Sequence, residues 1–348
     1  MKMTWWRWIA SGALTLILAQ GGVADAEPSK IYVADEEAGT VSVIDARILT
    51  RAQIIPVGRG PHNIQVSPDG KLAWVTNNGE DRGESERKHK EMPKREHEAM
   101  GNAGEVWAID TATDTVVAKV PVGLHPAHVV LTPDGRFAYV TNGGENTVSV
   151  VDTQARRVVA TIPVGAYPHG IRISPNGNDA YVANLKGATV SVIDTEARRE
   201  VAKIPVGNGP AQVGFTPDGR LAFVSLSQED KVAVIDPATR KVIKRMSVGT
   251  IPIQVYATPD SRLLFVANQG TKRVPGKTVS VIDLETFEVI KTIETGPGAH
   301  GVVVSPDGRN AYVTNIYANS VSVIEVKELR VVATVPVGRG PNGISVTP

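Results

Sequence analysis

The chain has 348 residues, 42% hydrophobic and 21% charged, and its mean hydropathy of -0.07 describes a folded polypeptide, too apolar for disorder and too polar for repeated membrane spans. Its 37 lysines and arginines offset 36 aspartates and glutamates, so no strong global field favours nucleic acid or anionic lipid. With no cysteine, thiolate nucleophiles, disulfides, iron-sulfur clusters and covalent c-type haem are excluded, and any metal must use His, Met or oxygen ligands.

Residues 1–26 carry Lys2 and Arg7, an apolar run from Trp8 to Ala19 and a final Ala24-Asp25-Ala26, the pattern of a secretory signal peptide. The run is short of the roughly 20 residues a membrane span needs, so no stable span is expected after cleavage. A periplasmic or extracellular location follows as an expectation. Residues 27–348 read as one domain.

From there the sequence repeats. Each unit runs x-Tyr-Val-Ala/Thr-Asn, a loop, Thr-Val-Ser-Val-Ile-Asp, then Val-Val-Ala-x-Ile-Pro-Val-Gly, then Pro-x-x-Ile-x-Val-Ser-Pro-Asp-Gly, and its third-strand acid falls at Asp45, Asp110, Asp152, Asp194, Asp236, Asp283 and Glu325. The basic period is 42 residues. Four short β-branched runs separated by turn residues make each unit a four-stranded antiparallel sheet, and seven such units predict an all-β, seven-bladed propeller. The chain opens on a second strand near Ile31 and ends on a first strand at 341–348, so the two ends should share a blade and close the ring.

The quartets Trp74-Val75-Thr76-Asn77, Tyr139-Val140-Thr141-Asn142, Tyr181-Val182-Ala183-Asn184 and Tyr312-Val313-Thr314-Asn315 resemble the YVTN family of β-propeller repeats, and the resemblance covers residues 30–348. Blade five departs from it with Phe223-Val224-Ser225-Leu226. The resemblance implies the fold and a loose range of roles, from surface-layer and exported proteins to the more distant d1-haem and nitrous-oxide-reductase propellers.

Length variation is confined to the loop between the second and third strands, with a charged insertion at 78–104 and a smaller one at 269–277. Strands alternate direction, so this loop shares a face with the crossover that enters the next blade at the channel mouth. The crossovers carry His62, Asn63, His125, His128, His169, Gln212, Gln254, His300 and Asn342. These form the expected ligand or partner face. Neutral imidazole suits copper, zinc, iron and nickel, so His62, His128, His169 and His300 are candidate ligands for a transition metal such as copper, or for a non-covalent haem. The competing reading gives these polar residues the task of satisfying backbone groups around a water-filled pore. A separate candidate is the His89-x-x-Met92 and His97-x-x-Met100 pair inside the insertion, an imidazole and thioether set suited to copper. Its alternating charges and lack of aromatics speak against nucleic acid.

No catalytic residues emerge. Phosphate-loop, H-E-x-x-H and G-x-S-x-G patterns are absent, and the Pro-Asp-Gly aspartates recur from blade to blade as turn formers. The expectation is therefore a non-enzymatic binding or scaffold protein using the histidine face for a ligand or protein partner, with a periplasmic metal-binding or haem-linked redox protein as the alternative. Arg172 is singular as the charged residue on a first strand, its orientation open.

Overall fold

The computed structural model describes residues 29–79 and 104–348; the expected signal peptide and the candidate ligands His89, Met92, His97 and Met100 lie outside the described residues. Seven four-stranded antiparallel sheets follow one another around a ring. Blade 1 is made of Pro341–Val346, Lys30–Asp35, Thr40–Asp45 and Thr50–Pro56, so the last strand of the chain is the innermost strand of the blade that the first strands begin. Blades 2 to 7 then start with Pro61–Val66, Pro126–Leu131, Pro168–Ile173, Pro210–Phe215, Pro252–Ala257 and Ala299–Val304. The ring is closed as the chain ends require, with Ile31 opposite Val346 and Val33 opposite Ile344. Among the described residues no helix is long and apolar enough to cross a membrane.

Hydrophobic packing lies between blades rather than on the axis. Tyr181, Val192 and Ile204 of blade 4, for example, pack with Val213, Val224 and Ala233 of blade 5. Second and third strands are buried on both faces, whereas the outermost strands, such as Thr115–Pro121, alternate exposed and covered positions. That leaves the axis to the polar residues of the first strands.

The recurrent turn residues have structural work. Asp69 accepts hydrogen bonds from the Ser67 hydroxyl at 2.7 Å and the Lys71 amide at 3.1 Å, and the Ser67 hydroxyl holds its carboxyl below the usual range. Asn176 fills the same place with the same two bonds, from Ser174 at 2.7 Å and Asn178 at 3.1 Å. The shorter insertion, 269–277, extends a hairpin instead of forming a loose loop: Asn268 pairs with Thr278 and Gly270 with Pro275.

Candidate functional site

Each first strand enters the channel through an irregularity. Pairing jumps from Pro61 to Ile64, from Pro126 to Val129 and from Pro168 to Ile171, so the two residues after each proline stand outside the regular ladder. A bulge of this kind frees successive side chains from strict alternation. His62, His128 and His169 occupy these positions on blades 2, 3 and 4.

The three imidazoles converge. Their ligating nitrogens lie within 4.8 Å of one another. His62 Nε2 and His169 Nε2 are 3.2 Å apart across blade 3, and the His128 and His169 ring centroids are separated by 4.8 Å. All three rings are buried, at 3%, 2% and 9% exposure, so the histidines plug the channel instead of ringing an open pore. His300 of blade 7 joins as a neighbour, its ring centroid 6.5 Å from that of His62. His125 stands apart on the rim, in a left-handed conformation with φ 50°, its carbonyl accepting from Gly143.

Hydrogen bonds orient the rings. His169 Nδ1 lies 2.9 Å from the Ala211 carbonyl, which can only accept, so Nδ1 carries the proton and Nε2 keeps its lone pair. His62 Nδ1 lies 3.1 Å from Asn342 Nδ2 and 3.5 Å from a carboxylate oxygen of Glu36. With Asn342 donating to Nδ1, His62 Nε2–H donates to His169 Nε2, and a directional chain runs from blade 1 through blades 2 and 4 to blade 5. Glu36 was not recognisable as a site residue from sequence; its one signal is its place directly after Asp35, in the second-to-third-strand loop of the histidine face. His128 Nδ1 faces Gln212 Nε2 at 3.3 Å, and its Nε2 is buried without a hydrogen-bond partner. Burial, then the neighbouring His169 and His62, hold the His128 imidazole well below its usual pKa, so it stays neutral.

The amides on the same loops do something different. Asn63 Oδ1 accepts from the Val129 amide at 3.3 Å, Gln254 Oε1 from the Val302 amide at 3.2 Å and Gln212 Oε1 from the Val213 amide at 2.9 Å. They satisfy backbone donors exposed by the bulges, which is the pore-lining role. The crossover residues thus divide into backbone-satisfying amides and a clustered set of imidazoles. Above them, on the histidine face, lies a bowl of about 680 Å³ whose wall includes Glu36, Arg59, Asn78, Gln269 and Tyr317. Backbone bonds from Asn78 to Gly60 and from Gln269 to Ile251 tie the second-to-third-strand loops to the crossovers, so both loop classes share this face.

Comparisons with known proteins agree with the fold. Residues 93–257 match the YNCE-like beta-propeller family and residues 218–343 the Cytochrome D1 heme domain. A 115-residue stretch is 30% identical to Antigen Lp49 of Leptospira interrogans serogroup Icterohaemorrhagiae serovar copenhageni (strain Fiocruz L1-130), covering 33% of this chain and 23% of that protein. Similar solved structures include hydrazine synthase of Kuenenia stuttgartiensis, with a TM-score of 0.69 and 25% identity over 82% of this chain and 89% of that one. The periplasmic gluconolactonase of Pseudomonas aeruginosa has a TM-score of 0.70 over 92% of this chain and 99% of its own, and at 18% identity that likeness shows the fold alone. With seven blades of this repeat, the chain is a YVTN-like β-propeller repeat protein.

Proposed function

We propose that this YVTN-like propeller is a binding protein whose channel mouth takes one transition-metal ion of the copper or zinc type through His62, His128 and His169. The observation that carries this reading is the convergence of three buried imidazoles to within 4.8 Å. Two nitrogens on a tetrahedral ion, each bonded at about 2.0–2.1 Å, stand about 3.3 Å apart, close to the 3.2 Å between His62 Nε2 and His169 Nε2. Supporting groups are in place as well: the Ala211 carbonyl fixes the His169 tautomer, and Glu36 stands beside His62 Nδ1, where it would accept a hydrogen bond from Nδ1–H in the tautomer that ligates through Nε2. At His128, the ring nitrogen that would hold the ion is Nε2, which is buried without a hydrogen-bond partner. Three protein ligands leave room for water or a further donor, with His300 nearby. Residues 1–26 are the sole basis for placing this function in the periplasm or outside the cell.

A haem reading is favoured by the match of residues 218–343 to the d1 haem domain. Against it, the imidazoles abut one another edge to face at 4.8 to 5.6 Å between centroids, and the space between their nitrogens suits an ion and not a macrocycle. Any haem would have to sit in the bowl above. Titrating Zn²⁺ and Cu²⁺ into untagged, chelator-treated protein should give one tight site. Changing His62 and His169 together to Ala should weaken it by more than about 100-fold, beyond the loss that removing a supporting group gives. Affinity should also fall in acid, where protons compete with the ion for the imidazole nitrogens, and the depressed basicity of His128 pushes its share of that loss below the pH at which a free imidazole titrates. A double variant that binds as the parent does sinks the ion reading, and a haem absorption band in protein from its native compartment replaces it with the second.

A further inference from the structure

Arg172 is the only Lys, Arg, Asp or Glu on the seven innermost strands. Its register position is held by Gln65, Gly214, Tyr256 and Ser345 on blades 2, 5, 6 and 1, two or three residues further along the strand than the histidines. At about 3.3 Å per residue that is roughly 7–10 Å deeper in the channel. The Arg172 guanidinium carbon lies 5.5 Å from the centre of the Tyr256 ring. Blades 4 and 6 are not neighbours: blade 5 intervenes, and its residue at this level is Gly214, whose missing side chain leaves the path across the lumen open. Arg172, Gly214, Phe215 and Tyr256 also line a cavity of about 190 Å³, walled on the Pro-Asp-Gly face by Pro175 and Pro217. At about 30 Å³ per water this holds some six waters.

The cation has no counter-charge. Among the described residues no carboxylate pairs with Arg172, and burial lowers its guanidinium below the ordinary value with only Tyr256 opposing the shift. Arg172 is only half-buried, so it keeps part of its hydration, and the π face of one tyrosine offsets part of the remaining desolvation. Gln65, at the same level on blade 2, has a buried Oε1 without a partner, so its amide is also unengaged on that side. The guanidinium carries its N–H donors in one plane as a fixed fork, and that fork matches two oxygens of one anion. Of the imidazoles above, His128 does not compete as a cation, since burial and its neighbours hold it well below its usual pKa. We propose that the lower half of the channel is a binding site for a small oxyanion, inorganic or the terminal carboxylate or phosphate of a small molecule, gripped by Arg172.

This site does not depend on a metal in the cluster above. Calorimetric titration of chelator-treated protein with sulfate, phosphate and acetate, at ionic strength fixed with chloride, should show saturable binding of at least one at a single site. Selectivity for acetate over the tetrahedral ions would point to a carboxylate ligand, the reverse to phosphate or sulfate. Arg172→Gln should weaken that binding at least tenfold, and Arg172→Lys by less, because the charge stays while the fork is lost. Should Arg172→Gln not fold, Tyr256→Leu provides the second variant, with several-fold weakening expected. The His62 and His169 double Ala variant should keep the full anion affinity. Binding unchanged in Arg172→Gln, loss of anion binding in the histidine variant, or no saturable binding of any of the three anions overturns the proposal.

Discussion

Asp35 stands where five other blades have the asparagine of the repeat. Asn142 donates from Nδ2 to Thr147 at 3.0 Å and Ser149 at 2.9 Å, and accepts from the Gly123 amide at 3.2 Å. Ionised, Asp35 cannot donate, and Thr40 and Ser42 turn their hydroxyls to it, at 3.0 and 2.7 Å, in a site where the residue is fully buried. Burial dominates these bonds and raises its pKa from 3.8 to about 6. The folded state therefore holds a proton that the unfolded chain releases between pH 4 and 6, so the contribution of Asp35 to stability falls as pH rises through that window. The loss approaches about 3 kcal/mol above pH 6. Asp35→Asn restores the donor and removes the titration; it should stabilise the protein at pH 7.5 by about 1–3 kcal/mol and change little at pH 4. Urea melts of the two proteins at both pH values isolate this residue from the other carboxylates, and a stability difference independent of pH would refute the assignment. The sequence alone displays the Asp-for-Asn exchange but not its cost, because burial at the first blade depends on the last strand of the chain packing over it.

The second-strand threonine explains how blades hold one another at the mouth. Thr141 Oγ1 accepts from the amide of His128 in its own blade at 3.0 Å and donates to the carbonyl of His169 in the next at 2.6 Å. Thr76 and Thr314 repeat the bridge, to Ala127 at 2.8 Å and Asn342 at 2.9 Å, and Ser225 makes it in the divergent blade 5. The hydroxyl thus satisfies a bulge amide and pins the neighbouring first strand beside the axis. Thr141→Val keeps the shape and orphans both groups, so it should cost about 1–3 kcal/mol, while Thr141→Ser should cost less than about 1 kcal/mol. Because the bridged strands carry His128 and His169, the Val variant should also weaken metal binding. Equal denaturation midpoints for Val and Ser would show that the bridge contributes nothing. Periodicity, with its basic unit of 42 residues, exposes the strands and the second-strand position that holds Thr76, Thr141, Ser225 and Thr314. It does not expose the bulge that turns successive residues to the axis, and so the sequence names four mouth histidines without showing that three meet.

At the scale of the ring, blade count and chain ends are written in the repeat, whereas channel radius is a property of all seven blades together and has no local signal. The contact of His62 with His169 across blade 3, and the reach of Arg172 past Gly214, both depend on that radius. Closure ties the two levels together. Pro341–Val346 completes blade 1, the Ser345 hydroxyl accepts from the Val66 amide at 3.0 Å, and Ile344 fills a core shared with Tyr312 of blade 7. Asn342 from the same strand contacts both His62, at 3.1 Å, and Glu36, at 2.6 Å. Deleting residues 341–348 should consequently expose the inner edge of blade 1, lower thermal stability markedly and abolish metal binding together. Asn342→Ala separates the two effects: blade 1 keeps its strand, so the melting temperature should stay near that of the parent, while Glu36, which Asn342 anchors beside His62 Nδ1, loses its hold and metal affinity should fall about 10–100-fold. A truncated protein that melts like the intact one would mean that the ring does not need its closing strand. Parental affinity in Asn342→Ala would mean that the strand closes the ring without organising the mouth.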